Sequence, residues 1–103
     1  MPKVATQKRP DPKRPAFQQQ LKSILLDGLK LGGIKAKVSS EPVPRTKLLR
    51  VLVTSPQFEE LRPSERQDLV WRIVANALPR EKELLVSMIY TLTPTEAVGF
   101  LAD

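Results

Sequence analysis

The side chains of this chain best equipped for chemistry are its cations. Seventeen of the 103 residues are Lys or Arg against eleven Asp or Glu, a formal net charge of +6. The excess is uneven. Lys3, Lys8, Arg9, Lys13 and Arg14 face only Asp11 within residues 1–15, a net +4, whereas residues 16–103 hold twelve basic and ten acidic residues. Arg45, Lys47 and Arg50 form a second group, with Lys35 and Lys37 a little earlier in the chain. Clustered Lys and Arg neutralise phosphates and release the counterions condensed around nucleic acid, giving salt-sensitive, sequence-tolerant affinity. The candidate phosphate contacts are therefore Lys3, Lys8, Arg9, Lys13 and Arg14, followed by Arg45, Lys47 and Arg50.

Other chemistries are excluded or unsupported. The chain has no Cys and no His. Disulfides, thiolate nucleophiles and Cys-ligated zinc or iron–sulfur clusters are ruled out, and the commonest general base is missing. No phosphate-cradling Walker loop, dinucleotide fingerprint or Gly-x-Ser-x-Gly elbow occurs. Ser23, Ser55 and Ser64 have no histidine to activate them, and Glu59, Glu60, Glu65, Asp68, Glu81 and Glu83 read as solvated surface or helix-dipole partners. The expectation is a protein that is not an enzyme and needs no metal or cofactor. The longest uncharged run, Leu84–Thr95, has twelve residues and contains Pro94. A membrane span needs about 20, so no membrane partner is expected and the cytoplasm is the default compartment. The basic N-terminus has no apolar run behind it and does not read as a secretory signal.

The elements that must position these residues follow from periodicity. Residues 1–15 carry four of the ten prolines and almost nothing to bury, which predicts a disordered basic tail ahead of a single domain over 16–103. Phe17, Leu21, Ile24, Leu25 and Leu29 recur at helical spacing up to Leu31, and Gly32-Gly33 stops the helix. Ile34–Ser40 alternates as a half-buried strand, with Ile34, Ala36 and Val38 inward and Lys35, Lys37 and Ser39 outward. Glu41–Arg45, with Pro42 and Pro44, is expected to be a loop, and Lys47–Ser55 a second strand antiparallel to the first. A short turn holding Phe58 and Leu61 precedes a helix over about Pro63–Leu78, whose apolar stripe is Leu69, Val70, Ile73, Val74 and Ala77. Arg80–Glu83 reads as a charged connection and Leu84–Leu92 as a third strand. Thr93-Pro94-Thr95-Glu96 is a capping box opening a short final helix through Val98, Phe100 and Leu101. The order α-β-β-α-β-α predicts an α+β domain, a three-stranded sheet with its helices on one face. Phe17, Phe58, Trp71 and Phe100 are expected in the core, with Tyr90 on the third strand.

The segment from Val51 onward resembles the BolA family, whose pattern is a strand, Ser, two residues, Phe, a short turn, an Arg in the helix, then a strand ending in Thr-Pro-x-Glu. Ser55, Phe58, Arg66, Val70 and Thr93-Pro94-Thr95-Glu96 hold those positions. The resemblance implies an α-β-β-α-β module related to the type II KH fold, and it covers about residues 16–98. Some BolA-like proteins are described as transcriptional regulators that contact DNA through their helix and hairpin-loop region. Others dock on monothiol glutaredoxins and ligate a shared iron–sulfur cluster through a His at the start of the third strand. Here that position falls at Leu85 or Glu83, so a glutaredoxin-like partner would be held without a ligand from this chain. The Gly-x-x-Gly clamp of nucleic-acid-binding KH domains has no counterpart, because Gly28, Gly32 and Gly33 end a helix at different spacing. Arg66 reads as an ion pair with Glu59, Glu65 or Asp68, or as part of a partner surface. Two functional readings stay open: a non-enzymatic, BolA-like regulatory protein contacting nucleic acid through its basic tail and hairpin, and an adaptor for a glutaredoxin-like protein.

Overall fold

The computed structural model describes residues 14–101, so Lys3, Lys8, Arg9, Lys13 and most of the expected tail lie outside the described residues. The elements are α1 (Arg14–Leu31), β1 (Lys37–Pro42), β2 (Leu49–Thr54), a 3-10 turn (Pro56–Glu60), α2 (Pro63–Ala77), a single helical turn α3 (Arg80–Glu83), β3 (Val86–Leu92) and α4 (Pro94–Leu101). The fold is α+β, and the sheet order is β1-β2-β3. β1 runs antiparallel to β2, and β2 runs parallel to β3. A parallel pair needs a crossover, and α2 supplies it, packing on α1 and on β3.

One sheet face and the two long helices enclose the core. Phe17, Leu21, Leu25 and Leu29 of α1 and Val70 and Val74 of α2 meet Val38, Leu49, Val51, Val53, Val86 and Ile89 of the sheet, with Phe58 fully buried among them. α1 ends in a Schellman motif. The Ile34 N–H donates to Leu29 O (2.9 Å) and the Gly33 N–H to Lys30 O (2.9 Å), with Gly33 at φ +78°. Gly28 lies where α1 crosses α2, and a Cβ there would stand 2.5 Å from Ile73 Cγ2. Gln57 then ties down the connection out of α1, accepting from Lys35 N (2.6 Å) and donating to Gly33 O (2.6 Å).

Several boundaries differ from the sequence reading. α1 starts at Arg14, two residues inside the expected tail, because Pro15 falls in the first turn, where its missing N–H is no loss. β1 begins at Lys37 and runs on through Glu41 and Pro42, which pair with Arg50 and Leu49. Pro42 is tolerated because it ends an edge strand. Arg80–Glu83 closes a helical turn, and Ala77 is exposed rather than part of the α2 stripe.

The strand β3 begins at Val86 rather than Leu84 and carries a bulge. Leu49 pairs with Val86 but Arg50 pairs with Met88, so Ser87 is an extra residue, and its hydroxyl donates to Leu49 O (3.0 Å). This bulge shifts the alternation by one. Ile89 and Thr91 face the core, while Met88, Tyr90 and Leu92 share the opposite face with Arg50, Leu52 and Thr54. Phe100 of α4 follows them: its ring packs on Tyr90 with centroids 4.7 Å apart, and the residue is 43% exposed rather than in the core.

Candidate nucleic-acid interface

The loop joining β1 to β2 is built around a turn at Val43–Thr46. The Thr46 N–H donates to Val43 O (3.2 Å), Pro44 takes the second position, and Arg45 takes the third with φ +66°. Proline followed by a positive φ is the pattern of a type II turn, whose third position favours glycine or asparagine because a Cβ there crowds the backbone. An arginine in that place is strained by roughly 1–2 kcal/mol. The strain is held by the loop's own hydrogen bonds. Thr46 Oγ1 donates to Val43 O (2.9 Å) and accepts from Leu48 N (3.0 Å), and the Val43 N–H donates to Leu48 O (3.0 Å). Arg45 and Lys47, on either side of Thr46, are both exposed.

Arg14 closes on the same loop from α1, its guanidinium donating to Thr46 O. Three of the eight candidates, Arg14, Arg45 and Lys47, therefore lie at one end of the molecule. The other four basic residues of the N-terminal segment, Lys3, Lys8, Arg9 and Lys13, precede Arg14 in sequence. Lys82 of α3 lies against the first turn of α1, its Nζ 5.6 Å from the centroid of Phe17. Sequence reasoning missed Lys82, because only the packing of α3 against α1 brings it there.

Arg50 differs from its companions. It is half-buried on the far sheet face, and its Nε lies 3.3 Å from Glu41 Oε1, its cross-strand partner, an ion pair without hydrogen-bond geometry. That pairing offsets part of its charge. Lys37 stands across from Thr54 at the other end of β1, four residues from Glu41, so Lys37 and Arg50 do not gather into one patch.

The positions that carry the BolA resemblance come together elsewhere, beneath α4. Arg66 is 5% exposed, and its Nε donates to Phe58 O (2.9 Å) and Leu61 O (3.1 Å). Its Nη1 donates to Thr91 O (3.3 Å) and to Glu96 Oε1 (2.8 Å), and the guanidinium carbon sits 5.8 Å from the Phe58 ring centroid. Arg66 is an ion-pairing residue, as expected, but its partner is Glu96 rather than Glu59, Glu65 or Asp68. Glu96 also completes the capping box: the Thr93 N–H donates to Glu96 Oε1 (2.9 Å) and the Glu96 N–H to Thr93 Oγ1 (3.2 Å). The Thr93 backbone bond first, and Arg66 second, hold the Glu96 carboxyl below its ordinary value. Ser55 belongs to the same corner, its N–H donating to Leu92 O (3.0 Å) and its Oγ accepting from Gln57 N (3.2 Å). These residues thus fasten the 3-10 turn, α2, β3 and the start of α4 to one another.

Comparison of the chain with protein-family models and with curated proteins finds no match in either. No helix among the described residues is long and apolar enough to cross a membrane.

Proposed function

We propose that this chain is a BolA-like, non-enzymatic binding protein that holds nucleic acid by its phosphates at the hairpin-loop end. The observation that carries this reading is Arg45. Holding an arginine in a left-handed turn position, where glycine would be relaxed, sacrifices stability at the tip of an exposed loop. Strain of this kind collects where function requires a particular side chain. Arg45 and Lys47 flank a carbonyl that Arg14 fastens to α1, so the cations are presented on a braced loop. The remaining basic residues of the tail, Lys3, Lys8, Arg9 and Lys13, would extend the contact along the backbone. The phosphate is the ligand, and sequence preference is not part of the reading.

The test is the affinity for duplex DNA, followed by fluorescence anisotropy across a salt series. Log affinity should fall with log salt at a slope near −0.9 per neutralised phosphate, roughly. Removing residues 1–13, or replacing Arg45 and Lys47 with Glu, should each flatten that slope by about two or more units. Absence of binding to duplex or single-stranded DNA at about 50 mM salt, in both full-length and shortened protein, would sink the proposal. Recovery of a glutaredoxin-like partner by such non-binding protein would favour the adaptor instead.

A further inference from the structure

We infer that the open face of the sheet is a stacking surface for the bases of a single-stranded nucleic acid, centred on Tyr90 and Phe100. The inference rests on the phosphate-binding reading and names the form of nucleic acid that it takes. The bulge at Ser87 turns Tyr90 away from the core, and α4 brings Phe100 beside it, with the rings inclined at 49°. Phe100 and Met88 are 43% and 46% exposed, so packing among the described residues leaves this apolar surface open. Beside the rings is a half-open cavity of about 200 Å³, lined by Ser39, Glu41, Arg50, Leu52, Tyr90 and Phe100. It offers an apolar wall of two inclined rings, a hydroxyl and a guanidinium.

Those are the groups that hold an unpaired nucleotide. Every base has a π face, so aromatic stacking tolerates sequence, and an adjacent arginine serves the phosphate or stacks in its turn. The bases of a duplex are already stacked on one another, so the ring pair can serve only a strand whose bases are free. Charge favours a polyanion over an acidity-neutral apolar partner: the chain carries +6, and the one carboxylate at the cavity, Glu41, is engaged by Arg50. Arg50 pairs with Glu41 directly before the strand ends that lead into the Arg45 loop. Tyr90 stands beside Leu52, two residues along β2 from Arg50, so a strand held by its phosphates at the loop would run along the sheet toward the two rings.

The experiment compares full-length protein binding to a short fluorescein-labelled oligothymidine and to an abasic strand of the same length. The wild type should prefer oligothymidine by roughly tenfold, the loss expected for one stacked base. Phe100→Ala should remove that preference and leave the salt slope unchanged. Replacing Arg45 and Lys47 with Glu should weaken both strands and keep the ratio. Equal affinity of the wild type for the two strands overturns the stacking surface while leaving phosphate contact intact, and no variant is needed to see it. Failure to bind either strand, or duplex DNA, overturns both readings. Sedimentation supplies a further check: a wild-type dimer that Phe100→Ala converts to monomer would assign the face to a second copy of the chain and overturn the inference.

Discussion

Arg66 and Glu96 lie thirty residues apart and meet at 2.8 Å across the junction of α2 with α4. Each has a second task. The arginine satisfies the carbonyls of Phe58, Leu61 and Thr91, and the glutamate caps the helix that begins at Pro94. The pair therefore couples the start of α4 to the core, and α4 in turn sets the place of Phe100.

Replacing Arg66 with Ala should destabilise the fold by about 3 kcal/mol, because the carbonyls of Phe58, Leu61 and Thr91 lose their common donor. Arg66→Lys should recover only part of this, since an ammonium lacks the planar fork that reaches several acceptors at once. Urea denaturation measures both. A loss under about 1 kcal/mol for the alanine variant would show the network to be dispensable.

Stability should also depend on acid pH through Glu96. Its folded-state pKa is depressed below the ordinary 4.5, by the Thr93 N–H first and Arg66 second. A carboxylate depressed by folding stabilises above its unfolded value, and that contribution is lost as pH falls through the folded value. The urea midpoint of the wild type should therefore decline below about pH 4.5 more steeply than that of Glu96→Gln. Parallel curves for the two proteins would contradict the assignment.

At the loop tip, stability and binding should move in opposite directions. Arg45→Gly relieves the φ of +66° and should raise stability by about 1 kcal/mol, while lowering affinity for nucleic acid. Thermal melting and anisotropy on the same preparation test the pair of outcomes. A stabilised variant with unchanged affinity would remove Arg45 from the interface.

The helix crossing at Gly28 gives a double-mutant test. Gly28→Ala gains about 1 kcal/mol of helix propensity but drives a methyl group into Ile73, a clash worth about 1–3 kcal/mol, for a net loss near 1 kcal/mol. In an Ile73→Ala background the clash disappears and the same substitution should become stabilising. Additivity of the two changes would mean that the helices do not approach so closely at this point.

How much of this was legible without the structure follows from the range of each interaction. The helix stop at Gly32-Gly33, the box at Thr93 and Glu96, and most of the stripes of α1 and α2 rest on neighbours no more than five positions apart, and these were readable; Ala77 was the exception. The same holds for the element order, which records only where one periodicity gives way to another. Strict alternation along Val86–Leu92 would have turned Met88, Tyr90 and Leu92 inward, and one extra residue at Ser87 reverses this. Nothing local marks that bulge. It arises where β3 is matched to β2, a strand 38 residues away at the Ser87–Leu49 bond. The candidate site divides in the same way. Composition alone identified Arg14, Arg45 and Lys47 as cations, whereas packing brought Arg14 onto Thr46, gave Arg50 to Glu41 and left Phe100 at the surface. The sequence by itself determined the order of the strands and of the long helices, because propensity and period are properties of neighbours, though not the single turn at Arg80–Glu83. Which faces those elements present, and which charges they pair, was decided by tertiary structure, because such contacts exist only after distant segments have been brought together.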